Sequence, residues 1–261
     1  MKFVLVILSI SFLLCMGCKS TKYVPEGDSL YKGSEFTFQT DISKKHIKLL
    51  TSILDNQLKP KPNSTLLGIP FKLNFYSLLG KPKKEKGLKY NLSRKFAQAP
   101  VLFSTVNTSF SQKAVSAALF NNGLFDAQVT YDITTSKNGK KTKVNYLIKT
   151  GTMYRIKNYK IDIKDTAIVT LLTINTFKSG IKIDKRYSLD KIKSERAKID
   201  DVLKDNGYYH FNPEFLLFEA DTSGDAHAVK LHLKLKPQTT EESIRRYRLS
   251  NVYVLLDSSY T

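Results

Sequence analysis

Tryptophan is missing from all 261 residues, and only two cysteines, four histidines and three methionines are present. Scarce histidine leaves few groups that change charge near neutral pH, so general acid–base chemistry has few candidates. Those four, His46, His210, His227 and His232, stand near no nucleophile motif. His227 and His232 are five apart on a strand and face opposite sides, which rules out a shared metal. There is no nucleophile elbow, phosphate loop, nucleotide fingerprint or histidine-rich metal signature. No catalytic residue, metal or cofactor is therefore expected, and an enzyme is disfavoured. Acidic residues are also short, 23 against 42 basic, for a net charge of +19. Adjacent acids such as Asp200-Asp201 and Glu241-Glu242 lie among lysines, where they cap or solvate. With no tryptophan, the 14 tyrosines and 15 phenylalanines suit strands and small cores better than a binding cage.

Long apolar runs are missing too. The run that opens the chain, Phe3–Leu14, falls short of the ~20 residues a membrane-crossing helix needs. It follows Lys2 and ends in Gly17-Cys18, the grammar of a signal peptide over residues 1–17 with a lipoprotein-type cleavage site. Cys18 is then the acylated first residue of the mature chain. Cys15 stands where lipoproteins usually carry leucine, which keeps ordinary cleavage and an uncleaved anchor open, and without the lipid Cys18 is an unpaired thiol. Once the signal segment leaves, no second cysteine remains for a disulfide, so packing alone must hold the fold. Export sets nucleic acid aside as a partner. A basic surface beside a membrane faces anionic headgroups, acidic proteins or simply water.

What is present is a repeat. Asn121-Asn122-Gly123-Leu124-Phe125 returns 84 residues later as Asp205-Asn206-Gly207-Tyr208-Tyr209, each copy ending an amphipathic helix. In the first helix Ser109 and Gln112 make a capping-box pattern, and Ala114, Val115, Ala118 and Leu119 form the apolar stripe. The second starts at Ser188, with Leu189, Ile192, Ile199, Val202 and Leu203 as its stripe. Gly123 and Gly207 sit where a helix-ending left-handed residue is needed. After each helix comes a strand pair, Phe125–Thr134 with Thr142–Lys149 and Phe215–Asp221 with His227–Lys236. Tyr154-Arg155-Ile156-Lys157-Asn158 and, 93 residues on, Tyr247-Arg248-Leu249-Ser250-Asn251 each open a further strand. The expected unit is strand, helix, helix, strand, strand.

Two domains follow, residues 30–152 and 153–239, with a tether at 18–29 and the start of a third, cut-off unit at 240–261. The first begins with a weak strand to Gln39 and a helix Ile42–Leu58 whose Ile47, Leu50, Ile53 and Leu54 face inward. Residues 59–108, with Pro60, Pro62, Pro70, Pro82 and Pro100, read as an irregular basic insertion. Within it, residues 81–95 hold seven basic side chains against Glu85, a solvated loop or a contact for anionic lipid through Lys81, Lys83, Lys84 and Lys86. Tyr208-Tyr209-His210-Phe211 is the one aromatic cluster, read chiefly as packing.

Behind the lipid-box cysteine, Thr21-Lys22-Tyr23-Val24-Pro25-Glu26-Gly27, Pro62-Asn63, Leu67–Phe71, Ala99-Pro100-Val101 and the two helix-ending segments together resemble the POTRA domains of BamA/TamA-like outer-membrane assembly factors, a bacterial surface antigen family, and most of all its lipid-anchored TamA-like members. The family pattern departs at Leu124, where the second copy has Tyr208. The family's barrel of roughly 16 strands would have to follow Leu256, so its membrane-inserted activity is expected to lie outside this stretch. The resemblance implies an α+β fold of tandem POTRA-like domains, each a small three-stranded mixed sheet on two helices. It also implies a periplasm-facing scaffold at the outer membrane, whose partners are unfolded outer-membrane protein clients or a TamB-like protein. Clients would pair with edge strands, for which Phe125, Gln128, Thr130, Phe215, Leu217 and Glu219 are the expected positions. The other reading is a stand-alone outer-membrane lipoprotein that binds peptides or anionic lipid.

Overall fold

The computed structural model describes residues 20–39, 42–82, 84–174, 177–224 and 226–254. The signal segment, Cys18 and Lys83 lie outside the described residues. Two compact units emerge, one from the described residues up to Phe120 with Asp126–Gly151, the other from Asn121–Phe125 with the described residues from Thr152 on. Among the described residues no helix is long and apolar enough to cross a membrane.

In the first unit, β1 (Leu30–Phe38) leads to α1 (Lys44–Gln57), then α2 (Phe71–Leu79), α3 (Leu88–Phe96), α4 (Thr108–Phe120), β2 (Gln128–Thr135) and β3 (Lys141–Lys149). The sheet order is β1-β3-β2, with β1 parallel and β2 antiparallel to the central β3. A parallel neighbour requires a long crossover, and the helices between β1 and β2 supply it. On β3, Thr142, Val144, Tyr146 and Ile148 are buried while the residues between them are more exposed, the period of a strand covered on one face. Leu50 and Leu54 of α1 and Val115, Ala118 and Leu119 of α4 complete that core at helical spacing. Between Tyr31 and Ser34 the pairing of β1 slips, and Gly33 there has φ of +100°, with the Pro62 ring 3.2 Å from where a Cβ would stand, so a side chain is disfavoured.

Three details of the first unit depart from the sequence reading. Asn107 caps α4, its Oδ1 accepting the Phe110 amide at 2.9 Å, and Gln112 turns instead to the Val129 carbonyl. The Ser109–Gln112 capping box does not form, because Asn107 is the better cap one residue before the helix. The stretch 59–108 holds two helices, α2 and α3, and its prolines punctuate rather than forbid them: Pro70 caps α2 and Pro82 sits between the two. Finally, residues 20–29, read as a tether, pack on the unit. The Tyr23 ring lies edge-on to Tyr76 of α2 at 5.6 Å, and the Asp28 carboxylate accepts the Ser104 hydroxyl at 2.6 Å.

The second unit repeats the order without the added helices: β4 (Arg155–Ile161), α5 (Thr166–Thr173), α6 (Leu189–Asp205), β5 (Leu216–Asp221) and β6 (Ala228–Leu235), with sheet order β4-β6-β5. Asp165 caps α5, accepting the Ala167 and Ile168 amides at 2.9 Å each. Ile199 and Leu203 of α6 pack with Ile168, Leu172, Tyr208, Phe211 and Leu233 in one cluster. Beyond Asp205 the Tyr208 amide reaches the Leu203 carbonyl and the Gly207 amide the Lys204 carbonyl, each at 3.0 Å. That double closure needs a left-handed residue, and Gly207 has φ of +89°. The α+β class and the tandem three-stranded mixed sheets on helices are thus what the chain forms.

Candidate functional site

Among the described residues no group of three or more His, Cys, Asp or Glu could hold a metal ion. The chemistry on offer is that of the sheet margins, where amides and carbonyls lack a strand partner. Along an antiparallel pair, opposed residues alternate between those whose backbone groups face the neighbour and those whose groups face away. The Ile148 carbonyl accepts the Gln39 amide at 2.8 Å on the β1 side, so its β2 partner Val129 turns its backbone groups outward. Val129, Tyr131, Ile133 and Thr135 therefore form the free margin of β2. The Ser136 amide, bonded to the Lys141 carbonyl at 2.8 Å, sets the same phase from the turn.

In the second sheet the Leu233 carbonyl accepts the Asp162 amide at 2.7 Å on the β4 side, which turns its partner Phe218 outward. Leu216, Phe218 and Ala220 face the margin of β5, where the Leu216 amide is already taken by the Pro213 carbonyl. The Phe215 carbonyl, already taken by the Lys236 amide at 2.8 Å, agrees with that phase.

β2 and β5 are indeed edge strands, but the expected positions fall on the other parity. Gln128, Thr130, Leu217 and Glu219 direct their backbone groups into their own sheets. Phe125 precedes β2 and belongs to the second unit, its ring 4.8 Å from Tyr154 and 5.1 Å from Tyr187. Phe215 closes the short 3₁₀ turn Pro213–Phe215. Side-chain alternation in a sequence reveals the wet face of a strand. The direction of its amides depends on register with a neighbour, which alternation does not encode.

The opposite margins are partly closed. The Tyr31 amide of β1 donates to the Val101 carbonyl at 2.8 Å. At β4 the Ile156 amide donates to the Lys185 carbonyl at 2.9 Å, and the Asp184 amide to the Ile156 carbonyl at 2.8 Å. On β2 itself Gln112 Nε2 donates to the Val129 carbonyl at 2.5 Å, which occupies the first outward acceptor. Glu219 pairs with Lys234 at 2.7 Å, so the wet face of β5 carries a cross-strand ion pair that holds the Lys234 ammonium above its ordinary value.

Elsewhere, Lys81, Lys84 and Lys86 are exposed and make no ion pair within the described residues. In the aromatic cluster Tyr208 and Phe211 are core, while Tyr209, His210 and Tyr247 stack edge to face at 5.0 and 4.9 Å. One polar residue escaped sequence reasoning. Glu195, fully buried on α6, accepts the Ser179 hydroxyl and, at 2.7 Å, the Gly180 amide. Its position between Ile192 and Ile199 on the apolar stripe was the available signal.

No protein-family model matches this sequence, and no curated protein does. Solved structures align loosely. POTRA domains 3–5 of Haemophilus influenzae BamA give a TM-score of 0.40 at 15% identity over 82% of this chain and 69% of that one. The N-terminal domain of Omp85 from Thermosynechococcus elongatus gives 0.31 at 12% identity over 80% and 63%. CdiB from Acinetobacter baumannii gives 0.30 at 12% identity over 89% and 36%, so this chain spans under two thirds of the last two. Alignments this loose carry no function across, and the β-α-α-β-β order stands on its own hydrogen-bonded ladders.

Proposed function

We propose that this chain is a periplasm-facing scaffold of POTRA-like domains, held to the outer membrane by an acylated Cys18, that serves an outer-membrane protein assembly or translocation factor. The observation that carries this reading is the duplicated sheet, which in both units leaves an antiparallel edge strand with outward amides and carbonyls. An extended client adds to such an edge through main-chain bonds and so is read with little regard to its sequence. Unfolded outer-membrane proteins or a TamB-like partner have the required extended segments. The margins of β2 and β5 are the binding edges, and neither function needs a catalytic residue.

The deciding experiment uses Ile133→Pro with Ala220→Pro, which remove one outward amide from each margin and leave the internal ladders intact. A fluorescent peptide of about ten residues with alternating apolar and polar side chains serves as the probe. Binding should fall at least several-fold with an unchanged circular dichroism spectrum, and undiminished binding would sink the strand-addition reading. The anchor is tested separately: Cys18→Ala should move the chain from the membrane to the soluble periplasmic fraction.

A further inference from the structure

Residues 66–69 form a two-residue hairpin, with the Leu66 amide on the Ile69 carbonyl at 2.9 Å and the Ile69 amide on the Leu66 carbonyl at 3.0 Å. Both apex residues have positive φ, +50° at Leu67 and +77° at Gly68. Such turns favour Asn-Gly or Gly-Gly, because a leucine Cβ in the left-handed region crowds the following carbonyl. Gly68 fits the turn and Leu67 does not. Nor does packing compensate, since Leu67 is 94% exposed and Leu66 66%. A strained, wholly exposed leucine at an apex gains its stabilisation from something outside the unit.

The surroundings say what that is. α2 starts directly after the hairpin and α3 runs back beside it, the Gln98 amide on the Lys72 carbonyl at 3.0 Å and the Phe75 and Phe96 rings 6.1 Å apart. The Ser64 amide donates to Gln98 Oε1 at 3.0 Å, which ties the hairpin to the end of α3 where Phe96 is 45% exposed. From Phe71 to Phe96 the only acid is Glu85, and Lys72, Lys81, Lys84, Lys86, Lys89 and Arg94 make no ion pair within the described residues. Lys72 and Arg94 stand near the hairpin end of the two helices and Lys81, Lys84 and Lys86 beyond the other end of α2, about 13 Å on. An excursion that carries both exposed leucines and unpaired cations complements an anionic bilayer surface, with the apolar groups in the acyl boundary and the ammonium groups at the phosphates. The chain also delivers this excursion to a membrane. Tyr23 is fixed against Tyr76 of α2, and the five residues back to Cys18 reach at most about 17 Å.

We infer that the Leu66–Leu67 apex inserts into an anionic phospholipid surface, with the cations of the α2–α3 excursion on the headgroups. This rests on the membrane placement proposed above and not on strand pairing.

The test uses residues 18–261, the chain left once the signal segment is removed, with Cys18→Ser, so that neither lipid nor apolar leader is attached. A single cysteine is then placed by Leu67→Cys or, as a control, by Thr222→Cys, and labelled with an environment-sensitive fluorophore. With phosphatidylglycerol vesicles carrying brominated acyl chains, the label at 67 should shift to the blue and be quenched several-fold more than at 222. In phosphatidylcholine vesicles that difference should vanish. No shift at 67, equal quenching at both sites, or the same contrast in phosphatidylcholine overturns the inference. Leu67→Asn separates a membrane role from a structural one: relief of the turn should leave the melting temperature unchanged or raise it by about 2 °C, and a fall would overturn the proposal. Because no acyl chain is present, failure here is distinct from failure of the Cys18 anchor.

Discussion

The amide of Tyr247 donates to the carbonyl of Gly207 at 2.7 Å, and the amide of Tyr154 meets the carbonyl of Gly123 in the same way at 2.8 Å. The glycine that ends a helix thus also accepts a tyrosine amide; Tyr154 stands one residue before β4, whereas the further strand expected from Tyr247 does not form among residues 247–254. At Gly207 an added Cβ would stand 2.7 Å from the Tyr247 carbonyl oxygen, in addition to the penalty for its φ of +89°. Gly207→Ala should lower stability by about 2 kcal/mol, against about 1 kcal/mol for Gly68→Ala. At Gly68 φ is +77° and nothing lies within 4 Å. Denaturant titration of the two variants checks the difference.

Edge parity gives a sharper test of the sheet. Thr130→Pro removes an amide that bonds inside the ladder and should cost about 3 kcal/mol or abolish the fold of the first unit. Ile133→Pro, three residues on, removes an outward amide and should cost less than 1 kcal/mol. Equal losses in thermal melts would mean the register assigned to β2 and β3 is wrong.

Gln112 spends its side chain on the first outward carbonyl of β2. Gln112→Ala should lower stability by about 1 kcal/mol, the net value of one such bond, while freeing an acceptor for an added strand. The alternating peptide probe should bind this variant more tightly than the unaltered chain in fluorescence anisotropy.

The buried Glu195 carboxylate accepts from a hydroxyl and an amide at once. Glu195→Gln keeps the shape but turns a donor toward one of those donors, and about 2 kcal/mol should be lost. Hydrogen exchange at the Gly180 amide should rise in the variant more than exchange in β6.

The Ser104 hydroxyl bonded to Asp28 holds that carboxyl below its ordinary value of 3.8. A depressed carboxyl stabilises the folded state above the unfolded value, and the benefit is lost as pH falls through the folded one. Ser104→Ala should bring the Asp28 titration, followed by carboxyl carbon resonances, back up toward 3.8. The packing of residues 20–29 should then loosen at a higher pH than in the unaltered chain.

Much of the architecture was legible because it is periodic. The stripe Ile192, Ile199 and Leu203 and the alternation Val229, Leu231, Leu233 bury the residues that their spacing selects. The glycines at 123 and 207 mark helix ends because so few other residues accept positive φ. What sequence did not disclose depends on contacts between distant residues. The phase of Gln128 and Thr130 follows from Gln39 bonding Ile148, more than a hundred residues away. The preference of Gln112 for Val129 over its own helix end reflects a sheet that local propensity does not contain. α2 and α3 were hidden by prolines that turned out to stand at their ends, and Leu67 gives no sign in the sequence that its φ is positive.

Asn63 draws the beginning and end of the helical excursion together, its Nδ2 on the Ala99 carbonyl at 2.7 Å and its Oδ1 on the Val101 amide at 2.9 Å. One buried side chain thus closes a detour whose second-unit counterpart between α5 and α6 holds no helix among the described residues. Since closure entropy rises only slowly with loop length, material gathered at such a neck adds little burden to the sheet beneath. The first unit is in that sense an ordinary repeat wearing a detachable accessory. The accessory could lengthen, shrink or change its chemistry over evolutionary time while the strands of the sheet kept their register.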